Sequence, residues 1–210
     1  MAEAAPRLYL ITPPLAEAGA FASIFESALE AGDIACVFLR LAPQAMSEQK
    51  KIVAALLPLA QEHGVALLLD DPVLAARSDA DGVHIDGLGA ALEAPLTTMK
   101  PDKIVGVGGL ANRHEAMQAG EANVDYVMFG GPDETYESDT ALFDRVAWWA
   151  EIFTVPCVGY AERLEDVTPL VEAGADFIAL GDAVWGHPDG AAAAVAQAMK
   201  AIASVYEPAP

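Results

Sequence analysis

The residues best equipped for chemistry follow short apolar runs. Arg40 comes after Phe38-Leu39, and Asp70 and Asp71 after Val65–Leu69. His84 and Asp86 end the run from Gly82. Gly106, Gly108 and Gly109, then Gly130 and Gly131, close two more runs. Tyr160, Ala161 and Glu162, and finally Gly181 and Asp182, complete the set, with Thr12-Pro13 after the first run. A guanidinium grips phosphate or carboxylate oxygens in pairs. Carboxylates are hard ligands for divalent cations, and Asp70, Asp71, Asp86 and Asp182 would be such ligands if they converged. Imidazole changes charge near neutrality. Glycines let backbone N–H groups approach an anion. Each has a structural alternative: Asp182 caps a helix or turn, Asp70 and Asp71 cap another helix, His84 is a hydrogen-bonded packing residue, and Gly108-Gly109 is a tight turn.

The apolar runs that carry these residues read as strands: Leu8–Ile11, Ile34–Leu39, Val65–Leu69, Gly82–Ile85, Lys103–Val107, Val124–Phe129, Val155–Gly159 and Phe177–Leu180. They are nearly continuous rather than alternating, as parallel strands buried on both faces should be. Between them lie segments of helical period: Ala20–Ala31, a helix to Glu62 with Ser47 as N-cap, weak segments near Pro72–Ser78 and Gly89–Met99, and one capped by Asn112 with Glu115. Asp139–Phe153, Val167–Ala173 ending at Gly174, and Ala191–Val205 follow. The tags Asp79-Ala80-Asp81-Gly82, Asn123-Val124-Asp125-Tyr126 and Gly174-Ala175-Asp176-Phe177 place a helix end, an Asp and a strand in one repeated order. Eight such units predict an α/β fold, a single closed (β/α)8 TIM barrel spanning 1–210. A doubly wound sheet is the alternative, but Thr12-Pro13-Pro14 cannot form its phosphate turn. In a barrel, the candidate residues gather at the strand ends, where barrel chemistry sits.

Composition narrows the partners. The chain has 210 residues, 54 % hydrophobic, with a net charge of −20. That balance argues against nucleic acid or an anionic membrane as an electrostatic partner, because both need clustered Lys and Arg. No apolar stretch approaches the ~20 residues that span a bilayer, and the start lacks a signal-peptide pattern. Cys36 and Cys157 lie in apolar runs at no metal-binding spacing. A reduced, cytoplasmic location is expected. The tails, 1–6 and 207–210, are expected to be mobile. Of Trp148 and Trp149, one should face inward and one outward, where subunit contact or half-burial are the two readings; a homo-oligomer is among the expected assemblies.

The segments Leu8–Thr12, Phe38-Leu39-Arg40, Asp81–Ile85, Ile104–Val107, Val124–Gly130 and Glu172–Asp176 fall in the order and spacing that resembles the thiamine phosphate synthase / TenI family of small TIM barrels. The resemblance implies coupling of a pyrimidine methyl diphosphate to a thiazole phosphate with loss of pyrophosphate, Mg2+ as cofactor, and a thiamine-related small molecule as partner. It implies Arg40, His84, Gly108, Gly130, Glu162 and Asp182 as substrate-contacting positions and Asp71 as the magnesium carboxylate. The family's Gln-Leu-Arg-Glu-Lys reads Phe38-Leu39-Arg40-Leu41-Ala42 here, and its Asn-Asp-Arg reads Asp70-Asp71-Pro72. Its Ser/Thr becomes Gly108-Gly109, its lysine-bearing loop becomes Gly131–Tyr136, and its Gly-Gly turn and Ser become Glu162 and Asp182. Carboxylates at those last positions would cap the helices and oppose phosphate by about 4 kcal/mol per contact at ~4 Å and an effective dielectric of ~20. The expected activity is therefore a synthase with impaired or altered chemistry; the alternative is a non-catalytic TenI-like barrel that binds a heterocycle, a metal or a protein.

Overall fold

The computed structural model describes residues 5–134 and 139–206. Strands β1 (Arg7–Ile11), β2 (Ile34–Phe38), β3 (Ala66–Leu69), β4 (Gly82–Asp86), β5 (Ile104–Gly108), β6 (Tyr126–Phe129), β7 (Cys157–Ala161) and β8 (Phe177–Leu180) form a closed parallel barrel in chain order. Around it lie α1 (Phe21–Glu30), α2 (Met46–Glu62), α3 (Pro72–Ser78), α4 (Ala90–Thr98), α5 (Arg113–Glu121), α6 (Asp139–Ile152), α7 (Val167–Glu172), α8 (Asp182–Trp185) and α9 (Ala191–Tyr206). This is the (β/α)8 architecture that the strand–helix alternation predicts.

The repeated Asp tags have a specific task. Asp81 donates its backbone N–H to the Leu67 carbonyl while its carboxylate accepts the Leu67 N–H at 2.9 Å. Asp125 grips Val105 in the same two-point manner, and Asp176 grips Cys157, each at 2.8 Å through the side chain. Each Asp therefore ties the start of its own strand to the start of the preceding one. The residue two places before each Asp turns the chain out of its helix with positive φ: 57° at Asp79, 65° at Asn123 and 88° at Gly174. The residue between is apolar and buried (Ala80, Val124, Ala175). The tag is thus a left-handed helix exit, an apolar plug and a strand clasp in three residues.

Two apolar layers follow from the strand pleat. One lies between strands and helices and includes Val37, Leu67, Val83 and Trp149; the other fills the barrel with Tyr9, Phe38, Leu68, Tyr126 and Met128. Trp149 is fully buried and its indole N–H donates to the Val155 carbonyl at 2.7 Å. Trp148 is half-buried, with the Arg113 guanidinium 4.8 Å from its ring centre, so the inward–outward division of this pair holds.

Several boundaries differ from expectation. Ser47 does not cap α2, because the extended residue at its start is Ala45, whose carbonyl accepts Glu48 and Gln49 N–H. Strand β7 starts at Cys157 rather than Val155, whose carbonyl is used by Trp149. Val65 and Val124 serve as exit plugs, not strand residues. Asn112 caps α5 as expected, its Oδ1 accepting the Glu115 N–H at 3.0 Å; the returning Glu115 carboxylate accepts the Ala111 N–H. Most of the two tails lies outside the described residues; within them Pro6 is buried. Both cysteines are free and buried; burial pushes the Cys36 thiol far up and Cys157 to about 12.

Candidate functional site

The barrel mouth holds two adjoining cavities, of about 340 and 430 Å3. Gly130, Gly131, Pro132 and Glu134 border both, so the loop after β6 is the partition between them.

The smaller cavity gathers Arg40, Asp70, His84 and Asp86. Arg40 leaves β2 with its backbone N–H donating to Thr12 Oγ1 at 2.9 Å, which fixes the start of its side chain. Its Nη2 forms an ion pair with Asp133 from the partition loop. Glu134, the next residue, accepts the Gly109 N–H at 3.2 Å. The loop therefore presents carboxylates to the guanidinium and to an amide of the mouth. Asp70 faces this cavity, and desolvation pushes its carboxyl up from its ordinary value, with its own backbone hydrogen bond and Arg40 opposing. Its neighbour Asp71 points elsewhere: Oδ1 caps α3 by accepting Val73 and Leu74 N–H at 2.8 and 3.0 Å. The helix-cap reading of Asp71 is thus met, and Asp70 is the carboxylate exposed to the cavity.

His84 is buried, 3 % exposed, with Nε2 toward the cavity and 3.6 Å from Asp86 Oδ1. That separation is an electrostatic contact rather than a hydrogen bond. The imidazole beside it holds the Asp86 carboxyl below its ordinary value, against desolvation. Nδ1 lies 2.8 Å from the Tyr126 hydroxyl, itself 2.9 Å from the Tyr9 hydroxyl. Burial raises both phenols well above their ordinary value, so they are neutral hydroxyls. His84 is therefore both a packed residue and a cavity residue.

Two glycines of β5 make room for this group. A Cβ on Gly106 would lie 1.9 Å from the Tyr126 ring, and one on Gly108 would lie 2.7 Å from His84 Nε2. Gly108 thus serves the imidazole rather than a tight turn. Gly130 has φ 83°, a conformation that favours glycine, and turns the chain from β6 into the partition loop.

The larger cavity lies between the ends of β6, β7 and β8. Glu162 and Asp182 both border it and both are exposed. They do not cap helices as expected. Asp182 is the first residue of α8 and makes no cap hydrogen bond. At the other helix start, Asp166 takes the Arg163 backbone N–H at 2.9 Å and its Nη2 at 3.0 Å. The reason is position: Asp166 lies three residues after Arg163, as a capping box requires. Desolvation, then the charges of Asp182 and Glu162, raise the Tyr160 phenol to about 12. Arg163 also borders this cavity, so among the described residues each cavity has a cation beside it, Arg40 at one and Arg163 at the other. It was legible as the residue after Glu162, beside an i,i+3 acidic partner. Exposure also lowers the expected cost of phosphate here. In water, one unit charge ~4 Å from another costs about 1 kcal/mol, not about 4.

Among the described residues, no group of three or more His, Cys, Asp or Glu is placed to cage a metal. Mg2+ commonly needs only one or two carboxylates plus substrate phosphates. Asp70, which faces the smaller cavity, could supply one such carboxylate, while Asp71 is engaged in capping α3. No described helix is long and apolar enough to cross a membrane.

Fold and mouth together define a (β/α)8 barrel whose two mouth cavities are bordered by the candidate residues at the C-terminal strand ends. More narrowly, the chain belongs to the thiamine monophosphate synthase family, whose model matches residues 8–184. It is 45 % identical over 195 residues to the thiamine-phosphate synthase of Rhodospirillum centenum, covering 90 % of this chain and 94 % of that protein. It is 40 % identical to the thiamine-phosphate synthase of Hyphomonas neptunium, covering 90 % of each. In backbone it superposes on the thiamine phosphate pyrophosphorylase of Pyrococcus furiosus with TM-score 0.80 and 23 % identity, over 96 % of this chain and 97 % of that one.

Proposed function

We propose that this chain is a cytoplasmic thiamine-phosphate synthase with an altered hold on its anionic groups. It would join a pyrimidine methyl diphosphate to a thiazole phosphate and release pyrophosphate. The observation that carries this reading is the placement of Arg40, Asp70 and His84 around one cavity that adjoins a second, bordered by Arg163. The first cavity suits the diphosphate-bearing ring: a departing diphosphate needs positive charge, and Arg40 supplies it once Asp133 yields. Mg2+, which Asp70 would help to hold together with the diphosphate, would neutralise further negative charge. The second cavity suits the thiazole phosphate, with Arg163 as its cation and the exposed Glu162 and Asp182 weakening the hold.

Steady-state pyrophosphate release from the two precursors, with and without Mg2+, tests the reading. Release that requires both precursors is expected. No release at high protein concentration would end it.

The pairing of Arg40 with Asp133 favours a second reading, a non-catalytic barrel for a cationic or neutral heterocycle. Calorimetry with thiamine and its phosphates separates the two, because that barrel would bind unphosphorylated thiamine more tightly.

A further inference from the structure

Inside the barrel, polar groups line up from floor to mouth. Cys36 packs with Tyr9 in the barrel interior; Tyr9 hydrogen-bonds with Tyr126 at 2.9 Å, and Tyr126 with His84 Nδ1 at 2.8 Å; Nε2 then faces Asp86 at 3.6 Å. Such a chain has two possible polarities, because each hydroxyl donates once and accepts from the other side. Its ends decide between them. At the mouth stands a carboxylate, the strongest acceptor available, which disfavours a bare nitrogen lone pair at Nε2 and favours an N–H there. At the floor stands a thiol, a weak donor and a weak acceptor. In the reverse polarity the imidazole lone pair would face the carboxylate and the Tyr9 hydroxyl would be left to donate toward the thiol end, a weak acceptor, so that polarity is the poorer one.

We infer that Tyr126, backed by Tyr9, is a positioning residue that holds neutral His84 with its proton on Nε2, so that the mouth offers the ligand a hydrogen-bond donor. Tyr9 donates to Tyr126, Tyr126 donates to Nδ1, and Nδ1 is left unprotonated. The ring cannot turn away: Phe38 packs on it with centroids 4.9 Å apart, and the Tyr126 ring stacks at an interplanar angle of 16°. The missing side chains at Gly106 and Gly108 clear the space that Tyr126 and Nε2 occupy. The ligand that fits carries an acceptor here, such as a heteroaromatic ring nitrogen. This deepens the synthase reading, which it needs only for the identity of the ligand.

The test uses 15N-labelled full-length protein without substrate, with the pH raised until the His84 ring 15N shifts stop changing, so that the neutral form is the one observed. Two-bond 1H–15N spectra distinguish pyrrole-type from pyridine-type ring nitrogens. The His84 signals are assigned among the four histidines by their loss in H84Q. A pyrrole-type Nε2 and a pyridine-type Nδ1 are expected, with Tyr126→Phe moving Nδ1 and mixing the tautomers while Tyr9→Phe keeps the tautomer. A pyrrole-type Nδ1 in the wild type, or an unchanged spectrum in Y126F, overturns the inference. Because no substrate is present, this result stands apart from whether the chain is a synthase. In turnover, Y126F should raise KM for the pyrimidine diphosphate roughly twofold to tenfold, the size of one neutral hydrogen bond, with little change in kcat. An unchanged KM in an active enzyme would refute the donor role toward the ligand.

Discussion

Replacing Glu162 and Asp182 by Gln and Asn asks how strongly the rim of the larger cavity opposes phosphate. Both carboxylates are exposed and border that cavity, and their charge is felt at Tyr160. For a phosphate charge ~4 Å away in a water-like dielectric, each carboxylate costs about 1 kcal/mol. Each single change should therefore tighten the thiazole phosphate roughly fivefold, and the pair up to about 25-fold if the sites act independently. Screening over a Debye length of ~8 Å at physiological salt trims these figures. The assay is KM for the thiazole phosphate at low and high ionic strength, in wild type and in E162Q, D182N and the double variant. KM should fall in each variant, and the difference from wild type should shrink as salt rises. An unchanged KM, or a gain indifferent to salt, would refute the electrostatic reasoning. A gain of several hundredfold per residue would place the carboxylates in a low-dielectric site, against their observed exposure.

Three further outcomes follow. Asp133→Ala frees Arg40 from an exposed ion pair, which is worth at most about 1 kcal/mol, so pyrophosphate affinity should rise roughly twofold to fivefold; calorimetry showing no gain would mean that Asp133 does not compete. Asp176→Ala removes the clasp on the Cys157 N–H and should cost about 1–2 kcal/mol, or roughly 3–8 °C in Tm, with D176N losing less; an unchanged melting curve would deny the clasp its stabilising role. Cys157 is held up at about 12 by burial. Its folded pKa lies above the unfolded value of about 8.5, so stability is unaffected below that value and falls as pH rises through the window above it, by up to about 1.4 kcal/mol per pH unit. Cys157→Ala should flatten that alkaline limb in denaturant titrations between roughly pH 9 and 11; equal slopes would refute the assignment.

The barrel was legible because its strands are buried on both faces and its helix exits repeat. Asp81, Asp125 and Asp176 stand at the same place in three units, and their clasp explains why the same short tag recurs. Boundaries slipped where one residue had two plausible tasks. Val65 and Val124 look like strand residues because they are branched and apolar, yet they plug helix exits. The site was legible as a set of strand-end residues but not as a set of partners. Nothing in the local pattern distinguishes Asp70 from Asp71; only the α3 N-terminus, reached by Asp71 alone, separates them. Nor does spacing reveal that Tyr9, Tyr126 and His84, from three strands, share one hydrogen-bond line, or that Gly106 is empty to admit a phenol ring.

The most direct measurement is calorimetric titration of the protein with the thiazole phosphate and with its unphosphorylated alcohol, in the presence of Mg2+. Arg163 beside this cavity, opposed only by carboxylates whose exposure limits their repulsion, predicts that the phosphorylated compound binds more tightly. Tighter binding of the alcohol would contradict the account, because it would mean that the mouth rejects the group a synthase must hold.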